Sequence, residues 1–417
     1  MRTTLIASTI IFGAAIACGG STLANPDAGT NEDSGQPPPP PPPDDAGPDV
    51  DNGSPSTTYP AFKIDAPQVV SFGGPTLAAP KLVPVYFAND DTSITAQLTT
   101  FMSKLGASSF WLPAVSEYGV GAISSTDPIQ LTENAPTNID DDTIQTWIAS
   151  KIDDATFPAP DANTIYAIYY PDTTNISLQG EQSCQSFGAY HNNFTYKTGD
   201  VAYAIMPRCD GWGQSVLDTT TSAASHEFVE ASTDPYPETN TAYGQVDDDH
   251  ILWEYVLGGG ETGDMCAQFS ASYVSPSDLG FVVQRSWSNA SAKAGHDPCQ
   301  PSDKSPYFNS MPVLNDKISI GGQGSTKGVH IPVGSSGTIE VDLFSDAPTS
   351  GPWTVSASDT SGAGAITFDW DRTTGQNGEK LHLTINAVQK TQYGAAGFII
   401  KSKLNGRTTS WFGLVGN

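Results

Sequence analysis

The stretch Ala224-Ser-His-Glu-Phe-Val-Glu-Ala-Ser-Thr-Asp-Pro235 contains the pattern around which the rest of the chain can be arranged. His226 and Glu230 are four residues apart, so on a helix they lie one turn apart on the same face and can reach one metal ion. Glu227 stands where the glutamate of the His-Glu-x-x-His zinc motif acts as general base on a metal-bound water. The stretch therefore predicts a metal-binding helix in which Glu230 replaces the second histidine. The alternative is an ordinary amphipathic helix with Phe228 in the core and two solvated glutamates.

The motif helix is predicted to run from about Ser215 to Thr233, because Pro235 disfavours helical geometry at the residue before it. Apolar runs and helical spacings alternate along the preceding chain. The predicted strands are 81–87, 164–170 and 201–206, the predicted helices begin near Asp91 and Ile144, and loops are expected at 171–200 and 236–280. A further strand is expected at 281–287. This order predicts an α/β (α+β) metal-binding domain over 61–311, with the motif helix packed on a sheet as in zincin-like peptidases.

From about residue 312 the chain changes to short apolar runs separated by Gly, Ser, Asp and Pro. The runs are 329–333, 338–343, 353–357, 366–370, 380–385, 397–403 and 408–414. Regularly spaced short strands with turn signals predict an all-β sandwich of immunoglobulin-like type over 312–417. A module of this type serves more often as a spacer or a binding accessory than as a catalyst.

The first residues predict export and a lipid anchor. Arg2 precedes an apolar run that is too short to span a membrane, which is typical of a secretory signal peptide over 1–17. Ala15-Ile-Ala-Cys18 resembles a bacterial lipobox, so Cys18 is expected to be lipidated after cleavage. The exported lipoprotein would then be anchored at the outer membrane or cell surface. Residues 18–60 contain seven consecutive prolines and no Lys or Arg, a composition that predicts a disordered tether.

The net charge of −27 comes from 45 acidic and 18 basic residues. The basic residues are few and scattered, so no stripe of Lys and Arg exists to replace the counterions of a phosphate backbone. The composition therefore argues against nucleic acid as a partner. A peptide or a cell-surface polymer is the expected partner, together with the membrane that the lipid anchor would enter.

Four cysteines remain when Cys18 is set aside, an even number in an exported chain, and disulfides are therefore expected. Three pairings are possible for four cysteines. The pairing Cys184–Cys209 and Cys266–Cys299 is favoured because it closes the shortest loops on either side of the motif helix. A zinc site made of all four cysteines is the minor alternative, since the sequence contains no Cys-x-x-Cys pair.

Four pieces of the chain occur in an order that resembles a known family of secreted proteins. The pieces are Cys184-Gln-Ser-Phe-Gly-Ala-Tyr-His191, Ser225 to Pro235, Gly260-Glu-Thr-Gly-Asp-Met-Cys-Ala267 and Val283-Gln-Arg-Ser-Trp-Ser-Asn289. Over roughly residues 80–300 the chain is similar to the EXORDIUM-like (phosphate-induced) proteins, whose plant members show His-Glu-Leu-Ala-Glu and then Glu-Ile-Ala-Asp-Leu-Cys. The resemblance supports a metal site but assigns no reaction, because the plant members are associated with cell-wall growth responses. Bacterial relatives look like metallopeptidases chiefly through the zincin-like His-Glu-x-x-Glu helix.

A metal held by His226 and Glu230 needs a third protein ligand. Asp264 is expected to supply it, because it matches the Asp of the family's Glu-x-x-Asp-x-Cys piece. It also lies beside Cys266, whose disulfide would stiffen the loop. Glu261 could replace Asp264 or orient another ligand.

His191 is expected to be either a metal ligand or a hydrogen-bond donor to the transition state. Asp234 is expected to have a capping or turn role before Pro235, because the plant relatives carry Asn there. The mixed set of histidine and carboxylate ligands suits Zn²⁺, although manganese and iron fit it as well.

The leading hypothesis is a surface lipoprotein with a metal-dependent, peptidase-like hydrolase domain, in which Glu227 activates the water. The alternative is a non-enzymatic EXORDIUM-like binding protein, in which the same residues form a structural metal site or a hydrogen-bond network. A Ser-His-Asp enzyme is disfavoured because no Gly-x-Ser-x-Gly elbow occurs. Paired carboxylates for glycoside cleavage stay open, but Glu227 and Glu230 on one helix would straddle a sugar bond poorly.

Overall fold

The structure is a computed structural model that describes residues 51–211, 214–320, 324–360, 364–391 and 394–416. The described chain is mixed α/β, with 35% of residues in strands and 20% in helices, arranged in several sheets. The predicted signal peptide, Cys18 and the proline run of the tether lie outside the described residues. Within the described ranges, none of the helices is both long and apolar enough to cross a membrane.

Helices and strands alternate between Val69 and Gln300. The helices are α1 (Thr92–Leu105), α2 (Trp111–Val115), α3 (Asp141–Asp153), α4 (Val216–Thr233), α5 (Leu252–Leu257), α6 (Asp264–Ala267) and α7 (Asn289–Ala294). The strands are β1 (Val69–Val70), β2 (Lys81–Tyr86), β3 (Ser124–Ser125), β4 (Ile129–Gln130), β5 (Asn138–Asp140), β6 (Thr164–Tyr169), β7 (Asn175–Leu178), β8 (Glu181–Gln182), β9 (Tyr190–Tyr196), β10 (Gly199–Met206), β11 (Gln245–Val246), β12 (Tyr273–Val274), β13 (Val283–Gln284), β14 (Ser286–Trp287) and β15 (Cys299–Gln300). The three strands and two helices predicted before the motif helix correspond to β2, β6, β10, α1 and α3.

The main sheet has the strand order β3-β2-β6-β10-β9, and β4 also pairs with β2. Strands β2, β6 and β10 are parallel, whereas β9 runs antiparallel to β10. Alternate side chains of a strand face opposite sides of a sheet. Leu82 and Ala204 accordingly contribute to the core with α1 and α4, while Val83 and Tyr203 contribute to the core with α3. The sheet is therefore covered by helices on both faces, and the motif helix packs on one of them.

The motif helix is α4. The Ser215 side chain caps its N-terminus by accepting a hydrogen bond from the Asp218 N–H, and the helix ends at Thr233, as Pro235 predicts. Every residue from Thr219 to Thr233 is buried. The alternative of an amphipathic helix with two solvated glutamates is therefore wrong.

The loops predicted at 171–200 and 236–280 contain regular structure. The first contains β7, β8 and β9, and the second contains α5 and α6. Strand β9 lacks an alternating apolar pattern because it carries His191, Asn192 and Asn193, all of them buried. Polar residues can occupy a buried strand here because one of its faces lines a polar centre. The strand predicted at 281–287 is divided into β13 and β14.

The C-terminal part of the chain is two sheets that share one core. The strands are β16 (Phe308–Pro312), β17 (Asp316–Ser319), β18 (Ser325–His330), β19 (Ser336–Ser345), β20 (Trp353–Asp359), β21 (Ile366–Trp370), β22 (Thr374–Gly375), β23 (Lys380–Ala387), β24 (Ala395–Leu404) and β25 (Arg407–Gly416). One sheet has the order β16-β19-β23-β21 and the other has the order β17-β18-β25-β24-β20-β22. Leu343 and Leu383 of the first sheet pack with Phe398 and Ile400 of the second. The sheet structure begins at Phe308, a few residues before the predicted boundary.

The structure places the end of the predicted tether against this β region. The Ser56 N–H donates to the Asn377 carbonyl at 2.8 Å, and the Ala61 N–H donates to Asn377 Oδ1 at 3.1 Å. The Lys380 N–H donates in turn to the carbonyl of Asn52 at 2.9 Å. We call residues 51–61 the N-terminal strap, because they run along the β region before the chain enters the α/β region.

Candidate metal centre

Helix α4 presents His226 and Glu230 toward the short helix α6, which begins at Asp264. His226 Nε2 lies 3.0 Å from Glu230 Oε2 and 3.6 Å from Asp264 Oδ1. Ligand atoms of the three residues all lie within 4.8 Å of one another. Ligands at about 2.0–2.1 Å from a tetrahedral zinc ion are about 3.4 Å apart, so these separations suit one ion. His226 Nε2 and Glu230 Oε2 are buried and lack a hydrogen bond of suitable geometry. The structure thus brings together the three ligands proposed from the sequence.

The start of α6 holds the other oxygen of Glu230. Oε1 accepts hydrogen bonds from the Gly263 N–H at 3.1 Å and from the Asp264 N–H at 3.0 Å. A Cβ atom at Gly263 would lie 2.8 Å from both Glu230 Oε1 and His226 Nδ1, so this approach requires glycine. The Glu230 carboxylate is therefore fixed with Oε2 directed at His226.

The two disulfides are Cys184–Cys209 and Cys266–Cys299, which confirms the predicted pairing. The first joins the loop before β9 to the residues after β10. The second joins α6 to β15 and so holds the helix whose N–H groups bind Glu230. Disulfides persist in oxidising compartments, and they indicate an extracellular protein.

Gln284 holds the histidine ring of the centre from the other side. Its Nε2 lies 2.8 Å from His226 Nδ1 and donates to the Gly263 carbonyl at 2.8 Å. The side chain therefore connects β13, α4 and the loop before α6. Sequence reasoning did not propose Gln284 as a site residue, although it lies within the fourth piece of the family resemblance.

The two residues proposed as catalytic, Glu227 and His191, lie against each other. His191 pairs with Ala204 across β9 and β10, and residues paired in this way project to the same face of a sheet. Because Ala204 faces α4, the His191 ring meets that helix, and its Nδ1 lies 3.3 Å from Glu227 Oε2. Glu227 Oε1 is buried without a hydrogen-bond partner.

Glu261 lies on the far side of the His191 ring. His191 Nε2 is 3.8 Å from Glu261 Oε1, while His191 Nδ1 is 3.7 Å from Glu230 Oε2. Ligand atoms of His191, Glu230 and Glu261 lie within 4.8 Å of one another and form a second group that could hold a metal ion. Asp234 follows α4, and its Oδ1 accepts a hydrogen bond from the Ala242 N–H at 2.7 Å, which joins the end of the helix to the chain eight residues further on. Its Oδ2 is buried without a partner.

Burial and mutual repulsion control the ionisation of these groups. Burial raises the pKa of Glu227, raises that of Asp234 to about 6, and raises that of Asp264 well above its usual range. Burial alone would lower the pKa of His226, but the neighbouring carboxylates, Glu230 first, outweigh it and raise that pKa to about 10. Burial opposes ionisation of Glu230 too, yet His226 lowers its pKa. The cluster therefore retains protons that a divalent cation would displace.

Seven titratable side chains make up this cluster, and each is at most 2% exposed. They are His191, His226, Glu227, Glu230, Asp234, Glu261 and Asp264. Ionised carboxylates in such a dry environment are costly unless a cation or a proton balances them. Buried His, Glu and Asp groups could hold a metal ion, and this donor set suits zinc, manganese or iron.

No family model matches the chain, and no curated protein matches it. Among solved structures it is similar to domains 4 and 5 of the S-layer protein SbsC, at 19% identity over 25% of this chain and 52% of that one, with a TM-score of 0.17. The titin M3 domain is 11% identical over 27% of this chain and 94% of that one, with a TM-score of 0.17. A family 123 glycoside hydrolase from Clostridium perfringens is 11% identical over 26% of this chain and 27% of that one, with a TM-score of 0.19. The chain spans about half of the SbsC fragment. Scores this low carry no argument about fold or function.

Proposed function

We propose that this chain is an exported protein whose α/β region binds a divalent metal ion, zinc being the best fit, through His226, Glu230 and Asp264. The observation that carries the proposal is the convergence of buried ligand atoms. Nε2 of His226 and Oε2 of Glu230 lie 3.0 Å apart without a hydrogen bond of suitable geometry, and Asp264 Oδ1 lies 3.6 Å from Nε2. A cation between them would satisfy groups whose burial is otherwise costly.

The burial of the centre favours a structural role for this metal in an EXORDIUM-like binding protein. A catalytic site keeps one coordination position open to water and substrate. Here the loop before α6 packs tightly over the ligands, and a Cβ atom at Gly259 would lie 1.9 Å from Asp264 Oδ2. The partner would be a peptide or a cell-surface polymer that binds on the outside of the protein.

A zincin-like hydrolase is the second candidate, and Glu227 favours it. Glu227 follows the ligand His226 directly, and its Oε1 has no hydrogen-bond partner. When bound, a metal of this kind supplies an activated water. Glu227 Oε1 would accept the proton of that water, while His191 Nδ1 holds Glu227 Oε2. Substrate could enter only if the segment 258–263 moved away.

The C-terminal sandwich is proposed to be immunoglobulin-like, on the strength of its strand order. The order β16-β19-β23-β21 is that of strands A, B, E and D, and β25-β24-β20 is that of strands G, F and C. Strand β22 departs from the simplest pattern, because it follows β21 along the chain yet pairs with β20. We assign this module a spacer or accessory binding role.

Three variants of the motif helix test the metal centre and separate the two candidates. His226→Ala and Glu230→Gln each remove a ligand, so metal content measured by mass spectrometry should fall sharply. Glu227→Gln should leave metal content near the wild-type value. His250→Ala is the matched control, because His250 is a buried histidine bonded to Asp247 outside the centre.

Hydrolysis of fluorescently labelled casein distinguishes the candidates. A binding protein retains its metal and cleaves nothing, whereas in a hydrolase Glu227→Gln should lower the rate at least ~100-fold without loss of metal. Metal retention by all three motif variants, or a wild type that holds none after purification without chelators, would refute the metal centre.

A lipid anchor at Cys18 is also proposed, and fractionation of cells tests it. Cys18→Ser should move the protein from the membrane fraction to the soluble exported fraction, because the lipid would be lost. A Ser21→Ala variant changes a nearby residue and should stay in the membrane fraction. An unchanged location of the Cys18 variant would contradict the anchor.

A further inference from the structure

We infer that the centre holds two divalent metal ions, the second bound by His191 Nε2, Glu261 and Glu230. This inference rests on the proposed metal centre and extends it. It makes His191 a ligand and Glu227 the group that orients His191. The second group of ligand atoms lies within 4.8 Å, as does the first.

The orientation of the His191 ring supports coordination through Nε2. Nδ1 lies 3.3 Å from Glu227 Oε2, so a proton on Nδ1 is donated to that carboxylate. The lone pair of a neutral imidazole then resides on Nε2, which is buried, lacks a hydrogen-bond partner and lies 3.8 Å from Glu261 Oε1. A carboxylate that accepts from one nitrogen while the other binds a metal is a recurrent arrangement in metalloproteins.

Glu230 is placed to serve both ions. Two backbone N–H groups engage Oε1, so Oε2 is the oxygen left for a cation, 3.0 Å from His226 Nε2, and Glu230 belongs to both groups of converging ligand atoms. Paired metal ions in proteins are about 3.5–4 Å apart, which a shared carboxylate oxygen can span. Asp234 Oδ2 and Glu261 Oε1 both lie beside Gly244, so Asp234 offers a further oxygen on this side of the centre.

The number of buried ligands leads to the same stoichiometry. Five carboxyl groups and two imidazoles share the buried volume. An ion at the first position uses His226, Glu230 and Asp264, which leaves His191 and three carboxyl groups buried beside it. A second ion would bind His191 and Glu261, two groups whose burial is otherwise costly.

Zinc stoichiometry tests the inference. The full chain is stripped with a chelator, titrated with Zn²⁺ alone and followed by calorimetry, with bound zinc measured by mass spectrometry after dialysis. We expect two zinc ions per wild-type chain and one in His191→Ala and in Glu261→Gln. Asp264→Asn should also retain one ion, at the other position. His250→Ala, the control for a buried histidine, should keep two.

The outcomes separate this inference from the proposal beneath it. A wild type that saturates at one zinc ion overturns the second position and leaves the first intact. A wild type that binds none overturns both. Retention of two ions by Glu261→Gln together with His191→Ala also overturns the inference. The number of zinc ions bound by the wild type tests the second site without any variant. The inference can therefore be tested even if a variant fails to fold.

Discussion

At the scale of single residues, Gln284 is a neutral side chain that we expect to affect how tightly the centre binds zinc. Its amide nitrogen lies 2.8 Å from both His226 Nδ1 and the Gly263 carbonyl. A metal on Nε2 leaves the ring proton on Nδ1, so in the metal-bound protein the amide turns its oxygen to accept from that nitrogen. Groups that orient a metal-binding histidine typically account for about 10–100-fold in metal affinity. Gln284→Met keeps the volume and removes both contacts, so we expect zinc to bind about 10–100-fold more weakly while the fold is retained.

Competition with a zinc-binding dye measures this change in affinity. Gln268→Met is the control, because Gln268 donates to the Leu257 carbonyl away from the ligands. Unchanged affinity in the Gln284 variant would show that the ring is held by other contacts.

The residues of the centre differ in how far the sequence could reveal them. His226 and Glu230 follow from helical spacing, and Asp264 followed from a family pattern because nothing local links it to α4. Asp234 was expected only to shape a turn, although it lies one further helical turn beyond Glu230. Gln284 could not be derived, since an amide in a short strand gives no signal until the fold brings it to a histidine.

At the scale of elements, β19 contains an acid whose ionisation opposes folding. Asp342 is buried, and burial followed by repulsion from Glu340 raises its pKa to about 7. The folded state thus binds a proton more tightly than the unfolded chain, whose aspartates titrate near ~3.9. The stability that the protonated form contributes is fully present below the unfolded-state pKa of ~3.9. It is lost as pH rises through the folded-state pKa of about 7.

Asp342→Asn removes this titration. We compare the free energy of unfolding of the variant with that of the wild type at each pH. The difference between the two proteins should shift in favour of the variant by about 1–2 kcal/mol between pH 5 and pH 8, a value that allows for partial solvent screening. Urea denaturation at the two pH values measures the difference. Asp369→Asn, at an exposed position of β21, should show no such difference. An equal effect of Asp342→Asn at both pH values would contradict the assignment.

The elements that the sequence predicted best are those with a strong apolar period. Strands β2, β6 and β10 and helices α1 and α3 are of this kind, and Pro235 marks the C-terminal end of α4. Strand β9 shows no apolar pattern because it carries the buried residues His191, Asn192 and Asn193, of which His191 faces the centre, so the rule that buried strands are apolar fails there. Helices α5 and α6 are too short to show a helical period.

At the scale of the whole molecule, the two disulfides provide a matched pair of perturbations. They close loops of similar length, with sequence separations of 25 and 33 residues. Loss of either should therefore lower the free energy of unfolding by a similar amount, about 3–4 kcal/mol in the chain-entropy description. Only Cys266–Cys299 holds α6, whose N–H groups bind Glu230.

Zinc affinity should therefore fall in the double variant Cys266→Ser with Cys299→Ser, but much less in Cys184→Ser with Cys209→Ser. His191 is held by the pairing of β9 with β10, which the second variant leaves in place. Urea denaturation of the metal-free chains and zinc competition of the folded chains give the two readouts. Equal losses of zinc affinity would show that α6 is positioned by packing alone.

The N-terminal strap determines where a mechanical pull on the chain enters the protein. Tension applied at Asp51 reaches the contacts of the strap with Lys380 and Gly378 first and those with Asn377 next, and all of them lie on the β region. Strand β2 and the metal ligands come later along the chain, so a pull from this end acts on the strap and the β region before it acts on β2 directly. Detachment of its eleven residues would release about 35–40 Å of extended chain. The strap is thus a segment whose release under load would lengthen the chain while the metal ligands keep their positions.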